Sequence, residues 1–380
     1  MRPEVIAAHT GALGLVGNPS SIHSQGQRSK RLLEEARERV AASLGADSVE
    51  VTFTGGGTES VNLAIKGLYW QGRAAGRTRI IVPRAEHHAT IDAVEWLAQA
   101  EGAVIDWIPV DALGRIDLGA LEAALASPQD VALVTALWAN NEVGTLQPVD
   151  RIAALAAAAG VPVHLDAISA YGYKPIDFHA VGVAALSVSA HKIGGPVGVG
   201  ALLVARSATV VPLVHGGNQQ RARSGTQDAA GAVAFGLAAT LATDDIPTHA
   251  AHLVGLRDEL IAGIRTAVPT AVLRGDPVDR LPANVHFTYP GCEGDSLLFL
   301  LDAAGFSVST GSACQAGVPE ASHVLLAMGL GEQDARGALR MTLGPDTTRA
   351  DIAALVAALP DAVARASRAG LAERAPSLGR

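Results

Sequence analysis

Three short stretches of this chain hold residue types that could do chemistry. The first is Gly55-Gly56-Gly57-Thr58-Glu59-Ser60, set between an apolar run, Val51 to Thr54, and a helical pattern through Leu63, Ile65 and Leu68. A glycine turn at a helix N-terminus presents backbone N–H groups, and the helix dipole favours an anion there. Thr58 adds a hydroxyl. The turn reads as a phosphate cradle or as a tight strand-to-helix turn with Thr58 as N-cap. It has neither the lysine of a Walker A loop nor the spacing of a dinucleotide fingerprint. The second stretch is His164-Leu165-Asp166-Ala167, where Asp166 closes an apolar strand. Open α/β sheets place ligands at that end. A carboxylate there could hold a protonated ring nitrogen, coordinate a metal or cap the next helix. The third is Ser189-Ala190-His191-Lys192, followed by Ile193, Gly194, Gly195, Pro196 and Gly198. A lysine in so uncharged a setting reads as buried, and buried lysines serve as Schiff-base amines; the alternative is a lysine snorkelling to the surface.

Taken together, a phosphate cradle, a strand-end acid and a lysine form the set that pyridoxal phosphate requires. Cys314 adds a nucleophile. It lies in Val308-Ser309-Thr310-Gly311-Ser312-Ala313-Cys314-Gln315-Ala316-Gly317-Val318-Pro319, a small and polar stretch that reads as a mobile loop rather than core. The other cysteine, Cys292, sits in Pro290-Gly291-Cys292-Glu293 and reads as structural or incidental. Two cysteines make no disulfide framework, which favours a reducing compartment.

The chain resembles the cysteine desulfurases of the NifS/IscS-like branch, which are class V aminotransferase-like, fold-type-I pyridoxal-phosphate enzymes. Its marks are Gly17-Asn18-Pro19-Ser20-Ser21, Gly57-Thr58-Glu59-Ser60, Glu86-His87, Asn140-Asn141-Glu142-Val143-Gly144, His164-Leu165-Asp166-Ala167, Ala190-His191-Lys192, Arg223-Ser224-Gly225-Thr226, Gly311-Ser312-Ala313-Cys314 and Arg340. The resemblance runs nearly end to end. It implies conversion of L-cysteine to L-alanine, with the sulfur leaving as a persulfide on Cys314 for iron–sulfur assembly or tRNA thiolation. Under it, Lys192 holds the cofactor and moves protons at the substrate Cα. Asp166 pairs with the pyridinium nitrogen, and His87 stacks on the ring and acts in acid–base steps. Gly57, Thr58, Ser189 and His191 hold the phosphate, joined by Thr226 from the other subunit of a homodimer. Asn141 lies near the ring hydroxyl and substrate, and Arg340 clamps the substrate carboxylate. The resemblance also makes Cys314 a candidate transient ligand of an iron–sulfur cluster. A selenocysteine lyase, a small-substrate aminotransferase and a non-catalytic iron–sulfur assembly scaffold stay open beside this reading.

Two features depart from the family pattern. Members usually open with a strand and a Leu-Asp-x-Ala-Ala-Thr-Thr-like segment, whereas this chain starts at Met1-Arg2-Pro3-Glu4-Val5. That segment normally lies close to the active site, so activity of this form is at stake. The position three after Asp166 is commonly Gln and here is Ser169, which reaches the ring hydroxyl only through a water.

The elements that must position these residues follow from periodicity. A helix is expected over Ser29–Leu44, ended by Gly45. Strands are expected at Val51–Thr54, Ile80–Val82, Val104–Trp107, Val131–Thr135, Val163–Asp166, Ala184–Val188 and Val199–Val204. Helices alternate with them at Ala89–Ala100, Leu118–Leu125 and Val149–Ala158. Such alternation means βαβ units and a mostly parallel sheet flanked by helices. After about Thr248 the pattern changes to a helix (Leu253–Ile264) and scattered strands at Asn284–Phe287, Phe306–Ser309 and Ala338–Thr342. The expected division is therefore a large cofactor-binding domain, 1–250, whose N-terminal segment also touches the second domain, and a smaller α+β domain, 251–380, carrying the Cys314 loop. Hydrophobic residues at 49% and charged residues at 17% exclude global disorder. A formal charge of -8 argues against a nucleic-acid-binding surface. The most apolar stretches noticed are strand-sized, so no membrane span is expected. With no signal pattern at the N-terminus, a cytoplasmic protein is expected.

Overall fold

A computed structural model of the chain describes residues 1–311 and 321–372. These divide into two compact units. The first comprises 1–108, 116–139 and 147–246; the second comprises 109–115, 140–146 and the chain from 247 onward.

The first unit is built on a seven-stranded sheet. Its strands are β1 (Val51–Thr54), β2 (Arg79–Pro83), β3 (Val104–Ile108), β4 (Val131–Leu137), β5 (Val163–Asp166), β6 (Ala185–Ser189) and β7 (Gly200–Val204), in the order β1-β7-β6-β5-β4-β2-β3. From β3 to β6 the pairs are parallel; β7 is antiparallel to both β6 and β1. The near-continuous Val, Ile, Leu and Ala of these strands follow from burial on both faces, as in β4, where every residue is buried. The expected mostly parallel sheet flanked by helices is the one found.

Register decides which residues meet at the edge of this sheet. Leu137 of β4 lies opposite Asp166 of β5, and Asp166 lies opposite Ser187 of β6. Ser189 lies opposite Gly200, which in turn lies opposite Thr54 of β1. The glycine turn after β1 therefore shares an edge with the ends of β5 and β6.

The helix expected over Ser29–Leu44 runs Ser24–Ser43, because His23 caps it by accepting from the Gly26 N–H at 3.2 Å. A helix over Pro3–Leu13 was not read from the sequence; a proline in its first turn starts it. The chain also holds a 39-residue helix, Ala229–Ala267, with Pro247 inside it. By length and composition it could cross a membrane, which corrects the expectation that only strand-sized stretches are that apolar. In the first unit its apolar residues pack inward. Phe235 is fully buried and meets Phe53 and Tyr171 edge-on, with centroids 6.3 and 6.4 Å away.

The second unit carries a three-stranded antiparallel sheet of β8 (Val272–Leu273), β9 (Asn284–Thr288) and β10 (Ala338–Thr342), in the order β10-β9-β8. Phe306–Ser309 is not a strand. Only Ser309 pairs, in a single bridge to Arg340, with N–H to O distances of 3.0 and 2.6 Å.

Candidate active site

In the first unit the predicted residues gather at the sheet edge fixed by register. The helix Gly57–Ala74 starts directly after the glycine turn. Its N-cap is Gly56, which has no side chain to accept from the first turn, so the reading of Thr58 as N-cap is corrected. Thr58 is exposed and stands one residue inside the helix. Gly57 is buried, and a Cβ there would lie 2.4 Å from Cδ1 of Ile168 and 3.4 Å from Cβ of Ser189. The turn thus seats its backbone against the β5 and β6 ends, where glycine alone fits without displacing Ile168. The residue that helix capping would ordinarily supply is missing, and the dipole end is left for an acceptor from outside.

Asp166 is buried at the end of β5. One carboxylate oxygen accepts the Ile168 N–H at 2.9 Å and closes a turn; the next helix, Phe178–Val181, is capped by Asp177, so the reading of Asp166 as a helix cap is corrected. Burial pushes its pKa up to about 6, while the Ile168 N–H and the charge of Lys192 pull it down. A cation brought against this carboxylate would favour its ionised form. Beside it lies Glu86, also buried, with one oxygen accepting the Leu137 N–H at 2.9 Å. Burial raises the Glu86 pKa well above the usual range, and the nearby Asp166 charge raises it further. Glu86 follows β2 and Leu137 ends β4, so the two acids meet through the same strand ends. Sequence reasoning noted Glu86 only as a motif neighbour of His87.

His87 is exposed and is the N-cap of the helix His88–Glu101, its Nδ1 accepting from the Ala89 N–H at 3.0 Å. Its ring is thereby oriented and its tautomer fixed, with the proton on Nε2. Ser189 is buried, and its hydroxyl is 2.8 Å from Nδ1 of His191. Burial, then the Lys192 charge, lower the His191 pKa. Lys192 is exposed, not buried as its uncharged surroundings suggested. It belongs to the short 3-10 turn Ala190–Ile193, which carries it off the end of β6. Ser169 is half-buried in the turn after Asp166. Thr226 is exposed, three residues past Arg223, whose guanidinium pairs with Glu59 of the helix Gly57–Ala74 at 2.8 Å.

The second unit brings together Asn141 and Arg340. Nη1 of Arg340 donates to the Asn141 carbonyl at 3.0 Å, and Nη2 donates to Oγ of Ser309 at 3.3 Å. Burial lowers the Arg340 pKa, and the charge of Glu142 raises it. Cys314 lies outside the described residues. Cys292 is buried; its sulfur points at the Val363 carbonyl, 3.7 Å away, and burial pushes its thiol up, as suits a structural cysteine.

The donor set suits pyridoxal phosphate. The first unit offers uncapped helix N–H groups with hydroxyl and imidazole for a phosphate, a buried carboxylate for a ring nitrogen and a primary amine for the aldehyde. A metal has one candidate cluster among the described residues: ligand atoms of Asp47, Glu50 and His179 lie within 4.8 Å of one another. The Glu50 carboxylate there already accepts the N–H groups of Asp47 and Arg206 and meets the His179 ring at 2.7 Å, so the cluster closes a turn.

Comparisons with known proteins bear on this geometry. A family model described as aminotransferase class-V matches residues 2–355. An IscS-like cysteine desulfurase of Mycobacterium tuberculosis is 51% identical over 98% of this chain and 96% of its own length. A cysteine desulfurase IscS of Methanosarcina thermophila is 40% identical over 91% of this chain and 85% of its own. Among solved structures, a NifS-like protein superposes with a TM-score of 0.89 at 31% identity, covering 96% of each chain.

Proposed function

The chain belongs to the aminotransferase class-V family, and from that premise we propose how its residues carry out the reaction. It is a pyridoxal-phosphate-dependent cysteine desulfurase, which takes L-cysteine to L-alanine and hands the sulfur to an acceptor. When bound, the cofactor supplies an electron sink that labilises the Cα–H and Cβ–S bonds of the substrate.

Lys192 holds the cofactor through its amine and moves the proton at the substrate Cα. Asp166 keeps a proton on the ring nitrogen. Gly57, Thr58, Ser189 and His191 bind the phosphate, with Thr226 of a second subunit of a homodimer. His87 contacts the ring and transfers protons through Nε2. Asn141 and, through a water, Ser169 bind near the ring hydroxyl. Arg340 binds the substrate carboxylate with its planar fork. The Cys314 thiolate attacks the substrate sulfur. An S–S bond forms, the Cβ–S bond breaks, and its electron pair goes to the carbon skeleton, which takes up a proton and leaves as alanine. The persulfide on Cys314 passes its outer sulfur to an acceptor of iron–sulfur assembly or tRNA thiolation, in the reducing cytoplasm that two cysteines suit.

The observation that carries this reading is the shared edge: Asp166, Ser189 and the side-chain-free cap at Gly56 stand at the aligned ends of β5, β6 and β1. The test is a joint assay of alanine and sulfide from L-cysteine with the holoenzyme beside Cys314→Ala. Equimolar products from the parent and neither from the variant are expected. Undiminished sulfur transfer by Cys314→Ala would overturn the assignment.

A further inference from the structure

Glu59 is a half-buried carboxylate to which the reaction above gives no task. It stands in the first turn of the helix Gly57–Ala74 and spends its two oxygens in different directions. Oε2 accepts the N–H of Gly55, in the glycine turn, at 2.7 Å. Oε1 accepts from Nε of Arg223 at 2.8 Å, and both side chains are 26% exposed. Arg223 lies three residues before Thr226, so one carboxylate bridges the glycine turn and the segment that bears Thr226.

Helix capping accounts for half of this arrangement. An acid in the first turn that reaches back to an N–H before the helix satisfies an orphan donor, and one oxygen is enough for that. The second oxygen is spent on a guanidinium 164 residues away in sequence. The segment around Thr226 is otherwise closed on itself and tied to a different helix. Gln219 accepts the Gly225 N–H with Oε1 at 3.0 Å, and its carbonyl accepts from Nε2 of Gln227 at 3.0 Å. Gln227 in turn accepts from Nη2 of the buried Arg37 at 2.9 Å. Thr226 thus stands between two anchors, Gln227 to Arg37 on one side and Arg223 to Glu59 on the other.

We propose that Glu59 is a positioning residue for the cofactor of the second subunit: through Arg223 it ties the Thr226 segment to the glycine turn of its own chain, and from there Thr226 is presented across the dimer. The proposal rests on the reading of Thr226 as a phosphate ligand supplied to the other subunit of a homodimer. A hydroxyl held in place before its ligand arrives binds without the cost of ordering the segment that carries it. A charge-assisted hydrogen bond holds such a segment better than a neutral one. The same carboxylate touches its own chain's turn, so one residue joins the two cofactor sites of a dimer, and its loss is felt in the subunit opposite.

The test titrates pyridoxal phosphate into cofactor-free heterodimers of the full chain, purified through a different tag on each chain. One chain carries Lys192→Ala, so the absorbance of lysine-bound cofactor reports a single site, that of the chain which keeps Lys192. Glu59→Gln placed in the Lys192→Ala chain, the trans arrangement, is expected to weaken cofactor binding roughly 3- to 10-fold, whereas Glu59→Gln in the chain that keeps Lys192, the cis arrangement, stays within about twofold of the parent. Arg223→Gln, which cuts the bridge and leaves the Gly55 contact, should reproduce both results. In homodimers without cofactor, amide hydrogen exchange of a peptide covering 217–228 should quicken by roughly 10-fold in either variant. A trans loss that is absent, or no larger than the cis loss, would reduce Glu59 to a helix cap and overturn the proposal. Unchanged exchange in 217–228 would overturn it too. Thr226→Ala in trans separates the two readings: if cofactor affinity is unchanged, the assignment of Thr226 fails and takes the trans effect with it, while the exchange data still judge the bridge itself.

Discussion

Each unit buries one histidine completely on a central strand, His164 on β5 and His286 on β9. Burial lowers both pKa values to about 3. Their surroundings differ. His164 meets the Thr135 hydroxyl with Nδ1 and the Ser187 hydroxyl with Nε2, each at 2.8 Å, so a neighbouring strand satisfies each nitrogen. Among the described residues neither ring nitrogen of His286 has a hydrogen-bond partner, and the same holds for Nε of Arg340 and Oδ1 of Asn284 nearby. Burial, joined at His286 by the neighbouring arginines, therefore sets the charge state, and partners decide whether a buried polar group supports the fold. In the seven-stranded unit the neighbours of His164 thus satisfy both of its ring nitrogens. In the three-stranded unit the Arg340 Nε–H keeps a donor that a carboxylate would satisfy.

The division can be broken most forcefully by chemistry. Lys192→Ala should lower turnover on the order of 10^3-fold or more and let the cofactor dialyse away. Arg340→Lys should keep the cofactor absorbance and lower kcat/KM roughly 10- to 100-fold, mainly through KM, because the bidentate fork is lost. Loss of cofactor in Arg340→Lys would erase the distinction between the units. Stability sharpens it next. His164→Leu should destabilise by about 2–4 kcal/mol in urea titrations, since Thr135 and Ser187 are left unpaired, whereas His286→Leu should be neutral or stabilising by about 1 kcal/mol. The division also shows in pH. The folded His286 resists protonation until about 3, while the unfolded chain takes up its proton near 6.5. Its contribution is thus present above 6.5 and lost as pH falls toward about 3, by up to ~1.4 kcal/mol per pH unit. The stability difference between His286→Leu and the parent should therefore widen in the variant's favour on acidification, read from urea midpoints at pH 7, 6, 5 and 4. Asp166 runs the other way. Its raised pKa of about 6 makes the cofactor-free protein gain stability from this group as pH falls through 6, so Asp166→Asn should remove that gain.

Much of the fold was legible because apolar runs bounded by glycine and polar residues mark buried strands. Val51–Thr54, Val163–Asp166 and Ala338–Thr342 were read with the bounds that the structure gives them. Phe306–Ser309 looked the same by composition, yet one bridge is all the pairing it has, since pairing depends on a neighbour the local pattern does not reveal. His23 was missed as a cap because a ring nitrogen does there what Ser, Thr, Asp or Asn usually does. Residue type and spacing pointed to the phosphate turn, Asp166 and Lys192. They misjudged the exposure of Lys192, which depends on how the 3-10 turn after β6 leaves the sheet. Glu86, Glu142, His164 and His286 carried no warning of their burial. A polar residue in a strand or turn reads as solvated until the fold shows which way it faces.

The contact between Gly57 and Ile168 limits how this protein can change over time. Any side chain at position 57 collides with Cδ1 of Ile168, an atom that valine lacks. Substitution at the two sites is therefore coupled: Gly57→Ala displaces the terminal methyl of Ile168, and Ile168→Val removes that methyl while leaving Cγ1 3.2 Å from the added Cβ. With isoleucine at 168, a side chain at 57 thus carries the cost of moving that methyl, apart from any selection on the ligand that the turn receives.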